Sequence, residues 1–409
     1  MKKRMLFLIL PAFLCADNLK SLLEYATTNN SMVVSKSLTQ ESKKLDLQST
    51  KSGYFPTLDI GGSYQNLNQK SANTPGEIYT GFASIGVDLY DGGQKSNTIK
   101  QNEALLKSAN FTTSAYQKEL QLSIVQDFYN IKSIEASLEA LNEKQIQLHA
   151  ELERVKKFYE VGSTTKDDVD KLQAAYSNNI YQIDTTKYQI LSLKRLFSIK
   201  IGKKVDTFED STIQSPQNID KEISDNIKAL QHNSNSLLHS ANSIDSVYYP
   251  KLRLEDTYSM YDYDRTDATH PDGLDNQNKL LLTLNIRLFD NGATQKQRES
   301  LLIQKKALDK EIEQLEQIQD INVELALSKI ETTKAQIVSA KSSLDSAISA
   351  YETISEKYRV GTIDNIAYLD ALTVKTNAKA QYKTALNNLQ IAYSTYYFYT
   401  NKNIQEFTK

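Results

Sequence analysis

The chain has no tryptophan, one cysteine, six prolines and thirteen glycines in 409 residues. A single cysteine, Cys15, excludes a disulfide framework within the chain and any thiolate metal cluster. Past the N-terminus no run of ~18 apolar residues occurs, so no transmembrane helix is expected. An excess of one charge is also missing. The 48 basic residues oppose 50 acidic ones for a net −2, which becomes −5 without Lys2, Lys3 and Arg4. Nucleic acid, which selects for basic surfaces, is not an expected partner. Of the four histidines, His149, His232, His239 and His270, only His232 and His239 share a helical face. No carboxylate pattern accompanies them, so all four are read as solvated and no metal site is expected. With no Gly-rich phosphate loop and no nucleophile elbow, the chain is not expected to be an enzyme or to hold a cofactor. Its energy source must be a partner.

Glycine and proline are most informative where they are locally absent. Neither occurs in Gln94–Val161 or in Ala293–Val360, two stretches of 68 residues each. Asp91-Gly92-Gly93 opens the first and Val161-Gly162 closes it; Asp290-Asn291-Gly292 and Val360-Gly361 do the same for the second. Openers and closers recur at one offset of 199 residues, so the chain reads as a tandem duplication whose long segments have kept their length. Both residues interrupt helices. Their exclusion from segments rich in Leu, Ile, Ala, Glu, Lys and Gln predicts one helix of ~100 Å in each half. A globular core has no use for such reach.

Apolar positions from Leu120 through Ile124, Phe128, Ile131, Ile134, Leu138, Leu141, Leu148 and Leu152 to Val155 and Tyr159 follow a coiled-coil period, with Gln145 as the polar interruption. Ile337, Ala340, Leu344, Ala347, Tyr351, Ile354 and Tyr358 repeat it. After Gly162 and Gly361 the helical pattern resumes at once. Ser163-Thr164-Thr165 and Thr362-Ile363-Asp364 supply N-cap candidates, which predicts two αα-hairpin tips.

Before each long arm the period changes to two. Tyr54-Phe55-Pro56 and Tyr248-Tyr249-Pro250 stop a preceding helix. Leu58, Ile60, Gly62 and Tyr64, then Ala83, Ile85, Val87 and Leu89, form the apolar side of one strand pair. Leu252, Leu254 and Tyr258, then Leu280, Leu282, Leu284, Ile286 and Leu288, form that of the other. Polar loops, Asn66–Ile78 and Tyr261–Lys279, join the strands of each pair. Strands of about ten residues with one apolar face and tyrosines near their ends fit a transmembrane β-barrel; the plainer alternative is a soluble hairpin on a core. Four strands cannot enclose a lumen, so a barrel must be shared between chains of a cyclic homo-oligomer.

The N-terminus predicts export. Lys2-Lys3-Arg4 precedes a short apolar run, Met5–Leu14, and Ala16 is a plausible cleavage residue. Cys15 is either removed with the signal or lipidated, and Leu14 before it is larger than a lipidation site normally carries. The expected organisation is residues 1–16 as signal peptide, 17–202 as the first repeat and 203–409 as the second.

Two repeats of helix, Tyr-x-Pro, two strands, Asp-x-Gly, long helix, Val-Gly tip and returning helix resemble the TolC-like outer membrane efflux family over essentially the whole mature chain. The likeness is densest at Phe158-Tyr159-Glu160-Val161-Gly162-Ser163-Thr164-Thr165 and Tyr358-Arg359-Val360-Gly361-Thr362. The resemblance implies a fold that is mainly α with a β-barrel part. Long antiparallel coiled-coil hairpins would form a periplasmic α-barrel, and four strands per chain would enter a 12-stranded barrel in a homotrimer. Segments near 203–225 and the C-terminal stretch would form a belt. The implied partners are a periplasmic adaptor, an inner-membrane transporter and outer-membrane lipid. The implied role is an exit duct for efflux or type I secretion, and the competing class is a periplasmic coiled-coil scaffold or adhesin.

The resemblance also assigns a periplasmic gate. Tyr358 matches a gate tyrosine, Asp168 its aspartate partner and Asp370 one of two acidic rings. Ile363 stands where the family's lock has an arginine and Ala367 where it has the second acid, so part of the lock is missing or moved, with Arg359 a candidate. Val161, Gly162, Val360 and Gly361 would be the adaptor contact. Each residue has a plainer role: first-turn carboxylate for Asp168, heptad core for Tyr358, solvated aspartate for Asp370 and helix-ending pairs for the tips.

Overall fold

A computed structural model describes residues 18–69, 76–217, 220–263 and 274–409. The expected signal peptide, Cys15 and His270 lie outside the described residues. The elements run α1 (Leu19–Asn29), α2 (Ser31–Ser52), β1 (Thr57–Asn66), β2 (Glu77–Tyr90), α3 (Gln94–Glu160), α4 (Lys166–Ile201), α5 (Asp225–Asp245), β3 (Lys251–Tyr263), β4 (Asn276–Asn285), α6 (Ala293–Arg359) and α7 (Asn365–Tyr399). The chain divides into two compact units. One is built from 18–35, 114–224 and 316–409, the other from 36–113 and 225–315.

The two glycine- and proline-free segments are each a single helix of 67 residues, or ~100 Å at 1.5 Å per residue. An aspartate starts both. Asp91 accepts from the Gly93 and Lys95 amides at 3.0 and 2.7 Å, and Asp290 from those of Gly292 and Thr294 at 3.1 Å each. Donors that no helical carbonyl can reach are thereby satisfied.

In the unit of 36–113 and 225–315, the strands form one antiparallel sheet in the order β1-β2-β3-β4. Paired residues share a face. Leu58 pairs with Ile85, Ile60 with Ala83, Val87 with Leu254, and Leu252 and Leu254 with Leu284 and Leu282. On the opposite face Asp59 pairs with Ser84, Asp88 with Arg253 and Thr257 with Lys279. Lys95 and Arg253 both pair with Asp88, at 2.9 and 3.1 Å. The register therefore sorts an apolar from a polar side, as a period of two requires. The apolar side has no cover among the described residues: Ile60 is 82% and Leu280 70% exposed. Asp256 is a charged exception in its middle, set between Ile85 and Leu280 with its Oδ1 unpartnered, and Glu77 and Asp262 lie on the same side at the loop end. Tyr64 and Tyr79 meet at one end, their rings 4.9 Å apart.

Three details differ from expectation. β4 ends at Asn285, so Ile286 and Leu288 lie beyond the strand, in the exposed approach to α6. The strands are longer than their alternation suggested, β2 beginning at Glu77 and β4 at Asn276, because polar residues at a loop-proximal strand end carry no period to read. His232 and His239 are half-buried rather than solvated. His232 stacks on Phe111 at 5.4 Å, and burial lowers the pKa of both.

The other unit has its main core where Leu19, Leu22 and Leu23 of α1 meet Ile124, Phe128 and Ile131 of α3, Phe197 and Ile201 of α4, and Tyr397 of α7. Residues 212–214 and 407–409 run antiparallel alongside it, with the Thr212 and Lys409 amides bonding each other's carbonyls at 3.2 and 2.9 Å.

Candidate functional site at the hairpin tips

α3 and α4 form one hairpin, α6 and α7 a second, and their tips are built alike. Gly162 and Gly361 adopt φ +76° and +75°. The Ser163 amide reaches the Phe158 carbonyl at 2.8 Å and the Thr362 amide that of Lys357 at 2.9 Å. These 6→1 bonds end each helix on a left-handed residue, a conformation that glycine adopts without steric cost. Thr165 then caps α4 by accepting from the Asp168 amide, and Asp364 caps α7 by accepting from that of Ala367. Val161 and Val360 are 74% and 73% exposed. With no atom within 4 Å of a Cβ built on either glycine, all four tip residues are open to a partner.

Below the tips Leu148, Leu152 and Val155 of α3, Leu172 of α4, and Tyr368 and Leu372 of α7 form a separate core cluster. It joins the two hairpins. Tyr159, the last residue of the expected heptad, is exposed because the cluster ends one turn earlier, at Val155.

The three expected gate residues occupy different settings. Asp168 caps the start of its own helix: its Oδ2 accepts from Thr164 Oγ1 at 2.9 Å and from Thr165 Oγ1 at 3.1 Å. Its backbone carbonyl accepts from Asn365 Nδ2 at 3.4 Å, a link from α7 to α4. Asp370 is exposed on α7 between Ile366 and Val374, which are exposed on the same face. Tyr358 is half-buried, stacked on Tyr368 with ring centres 4.9 Å apart and planes 21° apart. The Glu151 carboxylate acts on its phenol more strongly than Asp168 does. Burial first, and then Glu151, raise its pKa; burial and the Tyr351 hydroxyl raise that of Tyr368.

Sequence reasoning missed Glu151 and Arg154. Arg154 lies 5.1 Å from the Tyr358 ring centre and 5.2 Å from that of Phe158, and it bonds both oxygens of Glu151 at 2.6–3.0 Å. Glu151, Arg154 and Phe158 are spaced i, i+3 and i+7, and that one-sided spacing beside buried Leu152 and Val155 was the available signal.

Long paired helices with exposed, matched tips in one unit and a sheet with an uncovered apolar side in the other mark a membrane-associated protein. The outer membrane efflux protein model matches residues 22–195 and 221–402, and the chain belongs to that family. It is an outer membrane protein with a long periplasmic helical extension, and its family is one of channels rather than catalysts. Outer membrane protein TolC of Vibrio cholerae serotype O1 is 26% identical over 188 residues, which span 44% of this chain and 43% of that relative. Solved structures of CusC and of the Campylobacter jejuni CmeC outer membrane channel share the fold, each with a TM-score of 0.82 and 15% identity. They cover 95% and 94% of this chain and 93% and 86% of their own. VceC of Vibrio cholerae matches at TM-score 0.81 and 13% identity, over 94% of this chain and 96% of its own.

Proposed function

We propose that the chain is one protomer of a trimeric exit duct, passing substrates outward from an inner-membrane transporter and a periplasmic adaptor in an efflux pump or a type I secretion system. The observation that carries this reading is the sheet. Four strands with an uncovered apolar face end in two edges, β1 and β4, whose outer backbone groups have no partner strand among the described residues. A bilayer core does not tolerate open edges. Three copies bring twelve strands, with β1 of one protomer beside β4 of the next, and close the ring. The long helices of the same three copies make the periplasmic tunnel. Each of the two sequence repeats supplies one strand pair and one hairpin.

Val161, Gly162, Val360 and Gly361 are the adaptor contact in this reading, since small exposed hairpin ends interdigitate with the ends of another hairpin. Asp168, Tyr358 and Asp370 lie at the periplasmic gate, where three copies of Asp370 around the axis make a ring that favours cations. The test is fractionation and mass in mild detergent. The expected result is an outer-membrane trimer that conducts in planar bilayers; a monodisperse monomer or a soluble periplasmic pool overturns the reading.

A further inference from the structure

We infer that Gly86 and Arg253 together set the width and charge preference of the lumen at the helix-side end of the sheet. Gly86 leaves the space in which the Arg253 guanidinium lies flat against the wall. The inference deepens the duct reading and rests on it, since in that reading the polar side of the sheet faces the lumen.

Both residues stand in regular strand. Arg253 is the third residue of β3 and pairs with Asp88 of β2; Gly86, two residues before Asp88, pairs with Glu255. In an antiparallel pair these four positions share one face. Glycine inside a strand weakens it and marks a place where another group comes close. Its left-handed freedom is not used at position 86, which is outside the glycines of positive φ. What it provides is room. A Cβ at Gly86 would lie 2.6 Å from Arg253 Nη2 and 3.3 Å from Cζ, closer than carbon and nitrogen pack. Gly81, in the same strand, has nothing within 4 Å of a Cβ. Phe82 repeats the device one strand away: its ring lies over Gly61 of β1, where a Cβ would sit 2.6 Å from Cζ.

The guanidinium is pinned in this pose by two carboxylates. Arg253 Nη1 donates to Asp88 Oδ1 at 3.1 Å, and Nε donates to Glu255 Oε2 at 3.3 Å. Lys95 Nζ, from the first turn of α3, completes the group at 2.9 Å from Asp88 Oδ2. Two cations and two carboxylates leave this cluster neutral, while 46% of the Arg253 side chain stays exposed. The wall is therefore flat here, and the cluster adds no net charge to it. An arginine standing upright at the same point is a different element. Three copies around the axis would narrow the passage and carry positive charge into it.

The test uses the full-length trimer in planar bilayers, measured for conductance and for cation over anion permeability in a salt gradient. Gly86→Ala should lower conductance and shift permeability toward anions, because the lifted guanidinium enters the passage. Gly86→Ala combined with Arg253→Ala should recover wild-type conductance, since nothing is left to lift. Gly81→Ala fills open space in the same strand and should match wild type. Arg253→Gln leaves one cation against two carboxylates. It should raise cation over anion permeability by about threefold, the Boltzmann factor for a local potential of order kT. That variant keeps Gly86, so it decides the inference even where Gly86→Ala fails to assemble. Wild-type conductance in Gly86→Ala, no recovery in the double variant, or unchanged permeability in Arg253→Gln overturns the inference and leaves the duct reading standing. If wild type itself does not conduct, the duct reading falls and the inference falls with it.

Discussion

Ile60→Arg should prevent stable membrane assembly, and the size of the effect follows from where Ile60 sits. It is the fourth residue of the ten in β1, pairs with Ala83, and is 82% exposed on the apolar side of the sheet. Its diagonal neighbours across the pair are Gly81 and Ile85, so no carboxylate stands directly or diagonally across from an arginine there. Arginine on the lipid face near the bilayer midplane costs ~2–4 kcal/mol, against ~0–1 near an interface. A trimer carries the change three times, so the assembled barrel should lose roughly 6–12 kcal/mol, comparable to the whole stability of an ordinary domain. Two controls separate depth from face. Leu58→Arg, second in the same strand and on the same side, should lose only ~0–1 kcal/mol per copy. Ser63→Arg is close to mid-strand but on the polar side, opposite Thr80, and should be tolerated. The assay is denaturant unfolding of protein folded into liposomes, alongside the amount of trimer in outer-membrane fractions. If Ser63→Arg is as damaging as Ile60→Arg, the apolar side does not meet lipid and the barrel assignment fails.

Gly361→Pro should abolish export and leave trimer mass unchanged, because φ +75° is closed to proline while the change stays local to a hairpin end. Normal export by that variant would remove the tips from the docking role. Asp370→Asn should reduce cation selectivity and weaken block by trivalent cations with little change in pore width; unchanged selectivity means that this aspartate faces bulk water. The tips should also loosen in alkali. The folded tip holds the Tyr358 and Tyr368 phenols above their ordinary range, so their contribution to stability is complete below pH ~10 and is lost as the pH rises through the folded values. Proteinase K nicking at the tips should be flat from neutral pH to about 9 and rise beyond ~10. A chain carrying Tyr358→Phe and Tyr368→Phe should show a weaker rise, and an equal rise in both proteins would refute the assignment.

Much of this architecture was written in local chemistry. The absence of glycine and proline from 94–160 and 293–359 fixed two helices to within a residue, since nothing else punctuates a helix so sharply. Asp-x-Gly openers, Val-Gly closers and the Thr165 and Asp364 caps act through the backbone of their immediate neighbours, so sequence spacing sufficed to place them. Alternation gave the faces of the strands, although not the end of β4. Ile286 and Leu288 continue the period past Asn285, but hydrogen-bond pairing with β3 stops there, and pairing is not a local property.

The partners of side chains across the fold were decided only by tertiary structure. Tyr358 stood in the sequence as a heptad residue or as one half of a pair with Asp168. What its ring meets depends on how α3 and α6 are set beside each other, and that geometry delivers Arg154, 204 residues away in the chain. Asp168 had its own cap within three residues, and a local bond needs no assembly to form. Sequence alone determined the lengths and ends of the long helices and the faces of the strands, because those follow from backbone conformation and period. The pairing of charges and rings between hairpins belongs to the fold, because it depends on distances that chain order does not encode.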